Sequence, residues 1–249
     1  MTAGRRRAAC AAALLLLATG CAEQPPARDR GFVLRYEEPA AADRKHQRFL
    51  KDRALAESVL ADLNAYVDLP HRVEVVARSC DGEGTGYDPG ERRIELCYDD
   101  LTEERELIER SGSGRPDEDL AEIVRETIHH EAGHALADAL HLTLDDRAEE
   151  DAADGFAQVM LVRGQAEGEN TLLTAARSYD AAAAADPIPD PTDEHAPPAA
   201  RAASHRCAVY GAAPARHPDL ATPARADCAA TWTRTRDTWT RDLAPLLRH

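Results

Sequence analysis

The chain is 249 residues long, 43% hydrophobic and 30% charged, with 45 Asp and Glu against 30 Lys and Arg, a formal net charge of −15. A surface this acidic argues against nucleic acid as a partner and against adhesion to anionic lipid headgroups. Aromatic residues make up only 4%, so a core must come mainly from Ala, Leu and Val, and the length suits one folded domain.

Residues 1–20 read as an export signal rather than as part of the fold. Arg5–Arg7 form a basic start, and Ala8–Ala18 an apolar run too short to span a bilayer. Leu-Ala-Thr-Gly-Cys at 17–21 resembles a bacterial lipobox, which makes Cys21 the residue to be lipidated and the mature N-terminus. This predicts an exported protein, lipid-anchored on the outer face of the bacterial cytoplasmic membrane and touching the membrane only through that anchor. Ordinary cleavage and secretion is the alternative, and the three arginines suit a twin-arginine route as well as the general one. Pro25, Pro26 and Pro39 among polar residues make 21–42 the lipidated cysteine and a flexible tether. The folded domain is then 43–249.

Within the domain, Asp43–Val67 has helical spacing, with Phe49, Leu50, Leu55, Val59, Leu60 and Leu63 apolar, and Leu69-Pro70 ends it. Arg72–Ala77 and Arg92–Tyr98 alternate as strands, with Asp88-Pro89-Gly90 a turn between them. Asp99–Arg110 reads as a helix. A long helix follows Pro116 and runs to about Leu140, and another covers Arg147–Arg163. Leu172–Ala185 is a further helix, and the proline-rich 186–198 a long surface loop. Two helices close the chain at about 199–211 and 222–247. Ala200, Ala203, Cys207 and Tyr210 on the first should meet Cys228, Trp232, Trp239 and Leu243 on the second. The predicted class is α+β, a mainly helical domain with a small β-sheet.

Outside the leader and Cys21, four cysteines remain, an even number that suits an oxidising compartment. Three pairings are possible. The local one, Cys80–Cys97 with Cys207–Cys228, closes two short loops and is the expected one. A cysteine-rich zinc site is disfavoured because no C-x-x-C spacing occurs.

The long helix carries His-Glu-Ala-Gly-His at 130–134, and the next carries Glu-Asp-Ala-Ala-Asp at 150–154. Histidines four apart on a helix lie about 40° apart around its axis, one turn up, so His130 and His134 can reach one metal ion. Glu131 points off that line and suits a general base acting on a metal-activated water. Glu150 is the candidate third ligand. Asp154, one turn on, can accept the outer N–H of a ligand histidine and fix its tautomer. Leu120, Ile123, Val124 and Thr127 lie on the histidines' stripe, so the rings continue a core-facing line. Gly133 in mid-helix is otherwise unfavourable by about 1 kcal/mol against Ala, which suggests close packing of another element. A His-liganded metzincin would need Gly at 137 and His at 140, where this chain has Ala137 and Leu140. His141 is out of phase and ranks well below Glu150, and His129 faces about 100° away as a structural or solvated residue.

Arg-Ile-Glu-Leu-Cys-Tyr at 93–98, His-His-Glu-Ala-Gly-His-Ala-Leu at 129–136, Glu-Glu-Asp-Ala-Ala-Asp at 149–154, Asp-Glu-His at 193–195 and the Cys207/Cys228 pair occur in that order. They resemble a bacterial family of exported putative metallopeptidases, gluzincin-like and otherwise of unknown function. The resemblance spans nearly all of the chain after the tether. It implies a zincin-like fold, His130, His134 and Glu150 as zinc ligands, and Glu131 as base. It implies no substrate.

The resulting expectation is a zinc peptidase acting on a peptide or protein. Bound zinc brings the pKa of its water to about 7, and Glu131 shuttles the proton to the leaving amine. His195, on the proline-rich loop, is the first candidate to donate to the oxyanion, with Tyr179 and Tyr210 second. The substrate strand is expected along the edge of Arg92–Tyr98 by β-augmentation. The rival expectation is a non-catalytic zinc- or partner-binding lipoprotein on the same scaffold.

Overall fold

The computed structural model describes residues 30–188 and 190–248. The predicted signal, Cys21 and most of the predicted tether lie outside those residues. Among the described residues no helix is long and apolar enough to cross a membrane. The fold is mainly helical α+β, with eight α-helices and a four-stranded sheet among the described residues.

The sheet comprises β1 (Gly31–Tyr36), β2 (Arg72–Arg78), β3 (Gly86–Asp88) and β4 (Arg93–Cys97), in the order β1-β2-β4-β3. β1 and β4 both run parallel to β2, and β3 runs antiparallel to β4. Two of these strands depart from the sequence reading. β1 falls within the predicted tether and is instead an ordered edge strand. Its Phe32 is buried, and Asn64 from a neighbouring helix accepts from the Phe32 amide and donates to its carbonyl, at 2.9 and 2.8 Å. The amide side chain thus satisfies backbone groups that the sheet leaves open. β3 lies in the glycine-rich stretch that reads as a connection. The predicted turn joins β3 to β4, where the amides of Gly90 and Glu91 donate to Asp88 Oδ1.

The single helix predicted over 43–67 is two, α1 (Arg44–Asp52) and α2 (Leu55–Tyr66), broken at Ala54 in the left-handed region, φ 48°. On one continuous helix Leu50 and Leu55 would point about 140° apart. The break lets both bury fully. The remaining helices are α3 (Asp100–Arg110), α4 (Pro116–Ala139), α5 (Asp146–Arg163), α6 (Ala166–Ala185), α7 (Pro198–Ala212) and α8 (Cys228–Asp242). α6 starts before the predicted Leu172. α8 is shorter than 222–247 because a proline-led 3-10 turn occupies 223–225 and the helix ends at Asp242.

α4 begins with Pro116 and then three acids, Asp117, Glu118 and Asp119, which complement the exposed amides and dipole of a helix start. α5 is capped by Asp145, whose side chain accepts from the Ala148 amide at 2.9 Å. α8 buries Cys228, Trp232, Trp239 and Leu243, the predicted face. α7 does not bury its predicted face. Ala200 and Ala203 are exposed, and the buried residues are Ala202, His205, Ala208 and Val209. His205 is an interior residue there, and a reading confined to apolar spacing turns the helix the wrong way.

Both disulfides take the local pairing, Cys80–Cys97 and Cys207–Cys228. The first ties the end of β2 to the end of β4, and the second ties α7 to the first residue of α8. Loops of this size predict that each Cys-to-Ser pair, Cys80→Ser with Cys97→Ser or Cys207→Ser with Cys228→Ser, lowers unfolding free energy by about 3 kcal/mol. Urea unfolding of the oxidised protein and the two double variants measures it, and an unchanged midpoint in either would show that bond to be dispensable.

Candidate metal centre

α4 and α5 run antiparallel across a short connection that reverses at His141, φ 53°. They pack closely against each other at Gly133. A methyl group there would lie 2.8 Å from the Ala153 Cα, nearer than carbon atoms tolerate. This contact sets the site, because His130 and His134 flank Gly133 on one helix and Glu150 and Asp154 flank Ala153 on the other.

His130 Nδ1 lies 2.9 Å from Asp154 Oδ1, and His134 Nδ1 lies 3.1 Å from Glu149 Oε1. An ionised carboxylate only accepts, so each Nδ1 carries the hydrogen. Both Nε2 atoms are then left with lone pairs, and they face each other at 3.2 Å. Glu150 closes the third side, its oxygens 3.1 Å from His130 Nε2 and 3.3 Å from His134 Nε2. Glu150 Oε2 makes short contacts to two ring nitrogens yet no hydrogen bond of acceptable direction. Lone pairs converging on one point repel one another unless a cation sits between them.

The ionisation of the cluster agrees. Burial opposes charge on His130, but contacts with Asp154 and Glu150 outweigh it and push its pKa up to about 10. Burial likewise opposes charge on His134, and Glu150 raises it. Glu150 and Asp154 are held well below the usual carboxylate range, against burial, by the surrounding histidines and, for Asp154, by Arg201 as well. The arrangement calls for positive charge at its centre. Protons can supply it, and so can a divalent cation bound by His130, His134 and Glu150, whose ligand atoms all lie within 4.8 Å of one another. Two imidazoles and a carboxylate are a donor set that divalent transition metals accept.

Glu131 points into a cleft of about 240 Å3 beside these ligands. It is 6% exposed, its Oε2 has no hydrogen-bond partner, and burial raises its pKa. His195 reaches the same cleft from the proline-rich loop, with Nε2 2.9 Å from Glu150 Oε2. Asp193 Oδ1 accepts from the His195 amide, and Arg147 on α5 donates to the Asp193 carbonyl, so the loop is tied to α5. The opposite wall is Thr85, Gly86 and Tyr87, the start of β3.

Several predicted placements change. Arg92–Tyr98 offers no free edge, since β4 lies between β2 and β3, and the outer strand at the cleft is β3. Tyr179 and Tyr210 do not line the cleft. Tyr179 lies beneath the Arg201 guanidinium, with its hydroxyl 3.5 Å from Glu126. His141 is exposed, and His129 is buried with Nδ1 on the Arg125 carbonyl.

Two residues escaped the sequence reading. Glu149 holds His134, and its signal was its place at the head of the Glu-Glu-Asp-Ala-Ala-Asp motif, which carried no role for it. Arg201 of α7 grips Asp154 with two hydrogen bonds, at 2.6 and 3.0 Å, and so orients the carboxylate that holds His130. Nothing local marks Arg201, which stands 47 positions from Asp154.

A family model described as "Putative metallopeptidase" (DUF4344) matches residues 36–243. No curated protein and no solved structure matches the chain.

The contact at Gly133 predicts that Gly133→Ala pushes α5 away from α4. Overpacking of this kind costs about 1–3 kcal/mol, read as a fall in the unfolding midpoint. Metal affinity should fall with it, because Glu150 and Asp154 move with α5. A variant of native stability and metal content would show that the helices can separate without cost.

Proposed function

The chain belongs to the putative metallopeptidase family DUF4344, and from that premise we propose that it is a zinc-dependent peptidase with Glu131 as general base. The single observation carrying this reading is the pair of Nε2 atoms 3.2 Å apart, each ring pinned through Nδ1 by a carboxylate, with Glu150 completing a three-sided cage.

His130, His134 and Glu150 would hold the ion. When bound, it supplies Lewis-acid polarisation and lowers the pKa of a water. Glu131 takes a proton at its unpartnered Oε2 and hands it to the leaving amine. Its raised pKa suits that exchange, since an acid–base catalyst works best near the ambient pH. His195 Nε2, at the cleft mouth, donates to the developing oxyanion. A substrate strand lies along the outer edge of β3, whose other edge is occupied by β4. Asp154 and Glu149 fix the ligand tautomers.

Exported, lipid-anchored or secreted, the protein would act outside the cytoplasm. Its two disulfides suit an oxidising compartment.

Glu131→Gln should keep about one zinc per chain by elemental analysis while losing hydrolysis of a peptide library by about 100-fold or more. Unchanged hydrolysis removes Glu131 from the mechanism. A wild-type protein that holds zinc but cleaves no peptide favours the non-catalytic binding reading instead. Asp154→Asn, which removes the charge behind His130, should weaken zinc binding about 10- to 100-fold in a competition titration. An unaltered affinity would show that Asp154 does not support the ligand.

A further inference from the structure

We propose that the cleft selects peptides carrying Lys or Arg next to the scissile bond. This rests on the peptidase reading and names its substrate class.

The observation is the charge of the cleft wall. Five carboxylates line it, Glu131, Glu149, Glu150, Asp146 and Glu194, and no Lys or Arg does. A divalent cation offsets two of these charges, Glu149 is engaged by His134, and Asp146 and Glu194 remain to face an incoming peptide. Asp146 stands exposed at the first turn of α5, and Glu194 stands exposed on the loop across the mouth. Neither makes an ion pair with another described residue. Glu194 offers an oxygen within 4.8 Å of Glu150 and His195, so its charge lies beside the reacting groups. Glu131, 94% buried by its 6% exposure and unpartnered at Oε2, marks the cleft as a place where a ligand completes the hydrogen bonding.

The overall charge of −15 does not by itself explain this wall. On the His129 side of α4, a separate cavity of about 780 Å3 is lined by Arg125, Arg163 and Arg248 as well as by acids. Basic residues are therefore available to surfaces of this chain, and the catalytic cleft excludes them. Carboxylates of one sign on a low-dielectric wall focus potential into the cleft and raise the local concentration of cations. A peptide strand on the edge of β3 would carry its side chains past Asp146 and Glu194. An acidic peptide there meets repulsion from both, and a basic one finds two free partners.

The test uses three peptides of one sequence, with Arg, Gln or Glu at the positions flanking the scissile bond. Fluorescence anisotropy reads their binding to the zinc-loaded Glu131→Gln protein, and wild type reads cleavage. The Arg peptide should bind about tenfold or more tighter than the Glu peptide, with Gln between. The difference should shrink at about 0.5 M salt, where screening shortens to a few ångströms. In an Asp146→Asn, Glu194→Gln protein it should largely vanish. Equal binding of the Arg and Glu peptides overturns the proposal, as does a preference that survives both salt and the double substitution. Charge-graded binding without cleavage by wild type sinks the peptidase reading alone and leaves selection of basic peptides standing.

Discussion

The contact between α4 and α5 at Gly133 governs everything built around it. A glycine in mid-helix forgoes about 1 kcal/mol of helix propensity. Here it allows the two helices to touch at Ala153, with no side chain between them. At that spacing the residues next to the contact and one turn before it meet in pairs. His130 reaches Asp154, and His134 reaches Glu149 and Glu150. With ordinary packing the same side chains would stand apart, and the ligand lone pairs would lose their common focus.

Buried polar groups hold this geometry from below. Asp154 is gripped by Arg201 of α7, whose guanidinium also lies over the Tyr179 ring of α6. Glu126 of α4 pairs with His205 of α7 at 3.0 Å, and His205 meets Gln158 of α5 at 3.1 Å. Interior ion pairs contribute little net stability, because desolvation offsets their attraction, yet removing one partner costs about 3–5 kcal/mol. They join α4, α5, α6 and α7 through hydrogen-bonded contacts. The Cys207–Cys228 bond extends that arrangement to α8. α8 in turn supports α5, since Trp239 Nε1 donates to the Ala152 carbonyl and its ring packs on Phe156.

The sheet has a different task. Its buried strands β2 and β4 supply core, and its short outer strand β3 supplies one wall of the cleft. β3 is stitched in place by the hydroxyl of Tyr87, which donates to Asp138 on α4 at 2.9 Å. The cleft wall and the histidines therefore ride on the same helix.

Where chemistry repeats at a helical period, the sequence was sufficient. The positions of α4 and α5, the nearness of His130, Glu131, His134, Glu150 and Asp154 to one another, the local cysteine pairs and the Trp232–Trp239 face all follow from spacing within one element or its neighbour. Short or interrupted elements were not legible. β1 lies in a stretch whose prolines and polar residues read as a tether, β3 at three residues is too brief for a period-2 pattern to show, and the Ala54 break depends on packing that only the assembled core supplies. Arg201, His205 and Asn64 could not be read either, because each acts on a partner 32 or more positions away and carries no local mark. Local periodicity determines which residues share a face. Which faces meet, how closely, and which buried charge finds which partner are decided by contacts between distant segments, and those exist only once the chain has closed on itself.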